Sequence, residues 1–167
     1  AFYLTKAPLA IQDLERIAND SSLGKAVQNE AVEELAVLYS DAPRYGTFGE
    51  VDMVVESDKV GFHSLCWFFR PGEEGDDKKE PGRWIATTVG RVLFNSIVPD
   101  EIGFLNQTFA KRELADIVFQ CFKDVGLAGT TEFLDNLKDF GFRYATLGGV
   151  SVGIDDKEVP TEKAEIL

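Results

Sequence analysis

The segment RWIATTVGRVLFNSIVP, residues 83–99, contains two consecutive apolar patterns. Its first part, RWIATTV, is rich in the β-branched and aromatic residues that strands favour. From residue 90 to residue 98 the apolar residues Val92, Leu93, Phe94 and Ile97 have helical spacing, and Pro99 ends the pattern. The segment therefore predicts a short strand followed by a helix.

Two segments on the N-terminal side also have helical periodicity. Residues 9–19 and residues 31–39 each place their apolar side chains near one face. Pro43, Gly46 and Gly49 then interrupt the pattern. We therefore expect two helices before residue 43.

The C-terminal half predicts two further helices. Residues 111–125 have the spacing of an amphipathic helix, and Gly126 stands where a left-handed cap residue is expected. Residues 130–140 follow with Thr130 as the predicted N-cap and Gly141 as the predicted stop. The sequence thus indicates two helices separated by a short connection.

Other segments have the features of strands and loops. Residues 50–57, EVDMVVES, alternate apolar and acidic side chains, which predicts a half-buried strand. Residues 60–69, VGFHSLCWFF, are apolar on both faces and predict a buried strand that pairs with it in a hairpin. Residues 71–82 have no apolar side chain and predict a solvated loop. Residues 150–154 predict a last strand, and Pro160 precedes a last helix.

These patterns predict a mainly α fold with a small antiparallel β element, an α+β fold. Residues 1–86 would contain two helices and a β-hairpin, and residues 87–167 would be largely helical. The chain opens on AFYL without a methionine and stops at TEKAEIL, which has the pattern of an interrupted helix. We therefore expect a fragment of a larger multidomain polypeptide.

Composition limits the classes of function. The 167 residues are 44% hydrophobic and include 13 Phe and 2 Trp, enough for a real core. The net charge of −12 opposes independent binding to a phosphate backbone, since such binding depends on Lys and Arg. Cys66 and Cys121 each lie in an apolar run, which favours buried thiols over a disulfide.

The sequence lacks the signals of membrane insertion and secretion. No apolar run approaches the roughly 20 residues that cross a bilayer, and the N-terminus lacks the order of regions found in a signal peptide. We expect a soluble, cytoplasmic protein.

A G-x-S-x-G match surrounds Ser151, between Gly149 and Gly153. A nucleophile elbow needs a helix directly after the serine and a histidine later in the chain. Here a strand pattern continues to Ile154, and the single histidine, His63, lies far upstream. The match therefore does not predict a serine hydrolase.

Two other features suggest chemistry but have simpler explanations. Gly148 and Gly149 follow a helix and precede a strand, which is the reverse of the order in a phosphate-binding loop. Asp155 and Asp156 are adjacent, so in an extended chain they point to opposite faces, and helix capping or surface charge is favoured over metal binding. His63 has no Cys or His partner set and is interpreted as a strand residue with a local hydrogen bond.

Two segments resemble a known family. TTVGRVLFNSIVP and GFRYATLGGVSVGIDDKEVPTEK are similar to the β′ subunit of bacterial DNA-directed RNA polymerase. The resemblance is close from residue 87 to the C-terminus and loose over residues 6–83, which carry lineage-specific length. The opening FYLT is also similar to the family. The matching positions are Thr87, Thr88, Val89, Gly90, Arg91, Asn95, Pro99, Phe133, Asp135, Gly141, Phe142, Gly149, Ser151, Gly153, Ile154, Asp155, Asp156 and Pro160.

The resemblance implies a place in a large enzyme. In the family this stretch is the pore domain, which leads into the funnel beside the secondary channel. Nucleoside triphosphates enter through that channel, and the RNA 3′ end is extruded through it on backtracking. The magnesium-binding aspartates would precede Ala1, and the trigger loop and bridge helix would follow Leu167. The resemblance thus implies no catalytic, metal or cofactor residue within the chain, magnesium elsewhere in the full subunit, and no activity of the fragment alone.

The resemblance also implies partners and site residues. The partners would be the β, α and ω subunits, the remaining β′ domains and regulators of the secondary channel. Nucleic acid would be contacted only in the holoenzyme, and no membrane would be bound. The candidate channel-lining residues are Lys111, Arg112, Arg143, Asp155 and Asp156.

The chain departs from the family pattern in two places. Family members often have Arg-Ser-Gly where this chain has Leu-Gly-Gly at residues 147–149, so a cation is lost that Arg143 partly replaces. A Lys, an Asp and a Tyr that help bind the alarmone guanosine tetraphosphate in proteobacterial relatives correspond to Ala128, Asp135 and Asp139. We therefore expect no alarmone binding of that kind.

Two other classes of function stay open on the residues alone. One is a free-standing acidic module that binds proteins without catalysis. The other is a small metal-dependent hydrolase that uses Asp155 and Asp156.

Overall fold

The computed structural model describes residues 5–71 and 82–147. Within them the predicted fold class, mainly α with a small β element, is confirmed. The helices are α1 Leu9–Asn19, α2 Lys25–Leu38, α3 Phe48–Glu56, α4 Val89–Asn95, α5 Lys111–Asp124 and α6 Gly126–Leu147, with a 3-10 turn at Asp100–Ile102. The strands are β1 Arg44–Tyr45, β2 Leu65–Arg70 and β3 Arg83–Thr88.

The three strands form one sheet with β2 at its centre. β2 pairs antiparallel with β3, with Trp67 opposite Ala86, and parallel with β1, with Arg44 opposite Trp67. An antiparallel pair of strands is present, as predicted, but it joins β2 to β3, and β1 makes the sheet mixed. The predicted hairpin of residues 60–69 with residues 50–57 is wrong, because residues 50–57 supply no strand. The strand predicted over residues 60–69 begins only at Leu65.

Helix α4 lies at the centre of the core. All of its residues are buried, and Thr88 caps it by accepting a hydrogen bond at Oγ1 from the backbone N–H of Arg91 at 3.4 Å. The ring of Phe94 lies 4.9 Å from that of Phe109 and 6.2 Å from that of Phe140. The strand and helix predicted for residues 83–99 are therefore confirmed.

The strand predicted over residues 50–57 is wrong, because this segment forms α3. A capping box begins the helix: Thr47 Oγ1 accepts from the N–H of Glu50 at 3.2 Å, and the Glu50 carboxylate accepts from the N–H of Thr47 at 3.3 Å. Val51 and Val55, four residues apart, are both buried on one helical face, while Met53 is exposed. The apolar residues at positions 51, 53 and 55 alternate as in a strand, but the four-residue spacing of Val51 and Val55 is equally compatible with one face of a helix.

The helix predicted over residues 130–140 is longer than its pattern indicated. Gly126 has φ +81°, as predicted for a left-handed cap, but α6 begins there directly. Thr130 is not its N-cap, because its hydroxyl donates to the carbonyl of Gly126 at 2.7 Å. Gly141 does not end the helix, since Phe140 and Tyr144 are both buried in the core around it. That burial outweighs the roughly 1 kcal/mol that glycine costs in a helix.

The other predicted helices are confirmed, and some predictions fall outside the described residues. α1 and α5 lie where their periodicity placed them, and α2 begins at Lys25 instead of residue 31. The predicted loop lies largely in residues 72–81, and the last strand and last helix lie in residues 148–167, which the structure does not describe. Among the helices of the described part, none has the length and apolar character that a membrane crossing requires.

A buried arginine joins the N-terminal helices to the core. Arg91 is 1% exposed, and its Nη1 and Nη2 donate to Oε1 and Oε2 of Glu15 at 2.7 and 2.9 Å. Its Nε donates to the carbonyl of Thr5 at 3.1 Å, and its Nη1 also donates to Oδ1 of Asn106 at 3.2 Å. We call these four residues the Arg91 network. Each nitrogen of the guanidinium therefore has a partner inside the protein.

The Arg91 network holds segments that are distant in sequence. Glu15 lies on α1, and Thr5 precedes that helix. The hydroxyl of Thr5 accepts from the N–H of Phe109 at 3.0 Å, and its carbonyl accepts from the hydroxyl of Thr108 at 3.3 Å. The N-terminal segment is therefore attached both to α4 and to the segment that precedes α5.

We expect Glu15→Ala to lower the free energy of unfolding by about 2–4 kcal/mol, because it leaves the Arg91 guanidinium buried without a carboxylate. Urea unfolding of wild type and variant measures the difference. Glu33→Ala, an exposed substitution on α2, is the control and should change stability by less than about 0.5 kcal/mol. Equal effects of the two variants would show that the ion pair does not stabilise the fold.

The capping box of α3 gives a second prediction. Thr47→Ala removes the acceptor for the N–H of Glu50 and should cost about 1 kcal/mol in urea unfolding. Thr146→Ala makes the same chemical change at an exposed position inside α6, where alanine is the better helix former. We expect no loss for this control. A strand at residues 50–57 would instead make Thr47→Ala as harmless as the control.

Candidate functional site

A polar cluster joins α3 to α6. Nη2 of Arg143 donates to Oδ2 of Asp52 at 2.9 Å and to Oε1 of Glu56 at 2.6 Å. The hydroxyl of Tyr144 donates to Oδ1 of Asp52 at 2.8 Å. We call these four residues the Arg143 cluster. It borders a groove of about 340 Å³ that is also lined by residues of α4.

In the Arg143 cluster the guanidinium of Arg143 stays protonated, and two carboxylates compensate its charge. The hydrogen bond to Glu56, followed by that to Asp52, raises the pKa of Arg143 above its usual value. Burial, followed by the hydrogen bond to Asp52, raises the pKa of Tyr144. With two carboxylates on one guanidinium, the cluster carries a net negative charge at neutral pH. Arg143 therefore does not act as an unpaired cation.

A second set of hydrogen bonds fixes the segment that follows α4. The side-chain amide of Asn95 donates to the carbonyls of Arg91 and Leu105 at 2.7 and 2.8 Å, and its Oδ1 accepts from the N–H of Leu105 at 2.7 Å. Asn106 Oδ1 accepts from the hydroxyl of Thr87 at 2.7 Å. Residues 105–106 are thereby held against the end of β3 and against α4.

The candidate channel-lining residues lie in separate places. Lys111 and Arg112 begin α5, and both are exposed. Arg143 is on α6, and its ion-pair partners among the described residues are the two carboxylates of α3. Asp155 and Asp156 lie outside the described residues. The structure therefore joins Arg143 to residues that the sequence did not single out.

Both cysteines are buried and free, as predicted. Burial raises the pKa of the Cys66 thiol to about 12, so it is not a thiolate at neutral pH. The prediction for His63 is wrong in two respects. The residue lies in a turn before β2, and its Nδ1–H donates to the carbonyl of Lys6 at 2.7 Å, a partner distant in sequence.

Sequence reasoning missed the residues that make the long-range polar contacts. Arg91 was named only as a position that matches the family, although its apolar setting, VGRVLF, indicates a buried cation that needs a carboxylate. Nothing in the spacing identifies Glu15 as that carboxylate, or Asp52 and Glu56 as partners of Arg143. Across residues 5–71 and 82–147, no three side chains of His, Cys, Asp or Glu lie together as a metal site would require.

The Arg143 cluster predicts a measurable coupling. A double-mutant cycle with Arg143→Gln and Glu56→Gln should give a coupling free energy of about 0.5–1 kcal/mol in urea unfolding, because both side chains are half exposed. The exposed pair of Lys138 and Asp135, with Nζ and Oδ1 3.4 Å apart, is the control and should give about 0.3 kcal/mol or less. A coupling at Arg143 no larger than the control would contradict the contact between α3 and α6.

Three known proteins that are similar to this chain are all described as subunit beta′ of DNA-directed RNA polymerase. DNA-directed RNA polymerase subunit beta′ of Methylacidiphilum infernorum is 47% identical over 171 residues, which cover 99% of this chain and 10% of that protein. The subunit beta′ of Chlamydia abortus is 49% identical over 86 residues, which cover 52% of this chain and 6% of that protein. The subunit beta′ of Desulforamulus reducens is 39% identical over 90 residues, which cover 54% of this chain and 8% of that protein. The chain spans about a tenth or less of the length of these relatives.

A family comparison agrees with these matches and confirms the resemblance to β′ subunits. The family described as RNA polymerase Rpb1, domain 3, matches residues 69–157, more than half of the chain. The match contains β3, α4, α5 and α6, and with them Arg91, Asn95 and Arg143. The chain therefore belongs to the family of RNA polymerase Rpb1, domain 3.

Proposed function

We propose that this chain acts in transcription as part of the β′ subunit of a DNA-directed RNA polymerase, a nucleotidyltransferase. The observation that carries the proposal is the 47% identity to one β′ subunit over 99% of the chain. Within that enzyme the chain forms part of the wall of the secondary channel. Nucleoside triphosphates enter along this wall, and the 3′ end of backtracked RNA leaves along it. The other polymerase subunits and the remaining β′ domains are its partners.

The described residues support a role in building a wall, without chemistry of their own. The buried polar side chains of Arg91, Asn95 and Thr87 form hydrogen bonds with other parts of the chain. The described residues provide no metal ligand set. As the family resemblance implies, the magnesium of the enzyme is held by residues outside these 167, and this chain gives the channel its shape.

The charges of this chain support a channel wall along which nucleotides pass without being bound tightly. The chain has a net charge of −12, and the cation of Arg143 is compensated by Asp52 and Glu56. Lys111 and Arg112 are exposed on the first turn of α5 and are the remaining candidate cations of the channel wall. Two cations raise the local concentration of triphosphates, whereas a dense basic surface would hold them.

The proposal predicts a change in KM without a change in kcat. In the full-length subunit within the assembled polymerase, Lys111→Glu with Arg112→Glu should raise the KM for nucleoside triphosphates about threefold, because the altered charges act on substrate approach and not on the reacting atoms. The effect should shrink as ionic strength rises. Steady-state nucleotide incorporation on a primed template measures both constants.

The matched control is Arg16→Glu with Lys25→Glu, which makes the same change of charge on α1 and α2. We expect an unchanged KM for this control. An equal increase in both variants would assign the effect to total charge and would contradict the channel role of Lys111 and Arg112. A fall in kcat alone would also contradict it.

A further inference from the structure

Helix α5 has two apolar faces, and the core covers only one of them. Ile117 and Cys121 are buried in the core, and Leu114 and Val118 pack against it. Ala115, Phe119 and Phe122 are spaced four and three residues apart and form a second side of the helix, about a third of a turn round from the core-facing residues. Phe119 is 60% exposed and Phe122 is 52% exposed.

The exposed side of α5 carries two phenylalanines one turn apart. We call Ala115, Phe119 and Phe122 the outer α5 face. Single exposed apolar side chains are ordinary, but two phenylalanines that are each more than half exposed and three residues apart on one helix form a contiguous patch of the kind that binds a partner.

Cations border the outer α5 face. The Nζ of Lys123 lies 4.5 Å from the centre of the Phe119 ring, and Lys111 and Arg112 are exposed at the N-terminal end of the helix. Asp116 lies farther round the same helix, next to these cationic residues. A mainly basic border is unusual in a chain with a net charge of −12. The face is therefore complementary to a surface that is apolar at its centre and acidic at its edges.

We propose that the outer α5 face is a docking site for an acidic, apolar segment of polypeptide from outside these 167 residues. A membrane surface is a poorer match, since anionic lipid would repel the acidic remainder of the chain. A second copy is disfavoured by the mutual repulsion of two chains with this net charge. The inference rests on the proposed function only in assigning the segment to the polymerase. It concerns Phe119, Phe122 and Lys123, which lie beyond the candidate channel residues Lys111 and Arg112.

Site-specific photocrosslinking of the full-length protein in its native assembly tests the inference. Benzoylphenylalanine in place of Phe119 keeps an aromatic side chain and should crosslink at least about fivefold more than the same residue in place of Val37, an exposed position on the acidic α2. Peptide mapping should identify a captured segment that is apolar and rich in Asp and Glu. Lys123→Glu should lower the crosslinking yield several-fold, whereas Lys25→Glu should leave it unchanged.

Three results would overturn the inference: a yield at position 119 no higher than at position 37, capture of a basic segment or of lipid, or capture of a second copy of this chain. Nucleotide incorporation by the same unirradiated preparation distinguishes this failure from failure of the proposed function. Incorporation without a crosslink at position 119 contradicts only the docking site. Capture of an acidic segment in a preparation without polymerase subunits supports the docking site and contradicts the proposed function.

Discussion

The fold depends on the need of one buried guanidinium for partners. Arg91 lies inside the core helix α4, and an unpaired charge there would cost several kcal/mol. The protein meets this requirement with a carboxylate from α1, a carbonyl from the N-terminal segment and an amide oxygen from the segment after α4. Because the three partners come from distant parts of the sequence, satisfying one charge also fixes how those parts meet.

This requirement also explains what the family resemblance reflects. Thr87, Arg91 and Asn95 are among the positions at which the chain matches the family, and in the structure their side chains bond to other parts of the same chain. They hold the sheet, α4 and the following segment together. The resemblance around residues 87–99 thus rests on residues that build the scaffold.

The sequence predicted secondary structure correctly where the spacing of apolar residues was compatible with only one kind of element. α1 and α5 have apolar positions at a spacing that suits only a helix, and both were predicted. Residues 50–57 were misassigned because Val51, Met53 and Val55 fit a strand by alternation and a helix by the four-residue spacing of Val51 and Val55. The capping box formed by Thr47 and Glu50 was the local signal that distinguishes the two.

The candidate site was less predictable than the fold. Exposed cations such as Lys111 and Arg112 can be named from the sequence, but the partners of Arg91 and Arg143 cannot. Glu15 is 76 residues from Arg91, and Asp52 is 91 residues from Arg143. Among 29 acidic residues, only the folded arrangement that brings Glu15 to Arg91 and Asp52 to Arg143 selects these carboxylates. Helix length was uncertain for the same reason, since core contacts on both sides of Gly141 decide it.

The pairing of Arg91 can be measured directly by nitrogen-15 NMR of arginine side chains. We expect the guanidinium protons of Arg91 to exchange with water on the order of a hundredfold more slowly than those of Arg16, whose side chain is 77% exposed. Arg91 should also show separate Nη signals, because two hydrogen bonds to Glu15 restrict rotation of the guanidinium. Exchange of the Arg91 protons as fast as that of Arg16, with a single averaged Nη signal, would contradict the claim that this buried ion pair organises the fold.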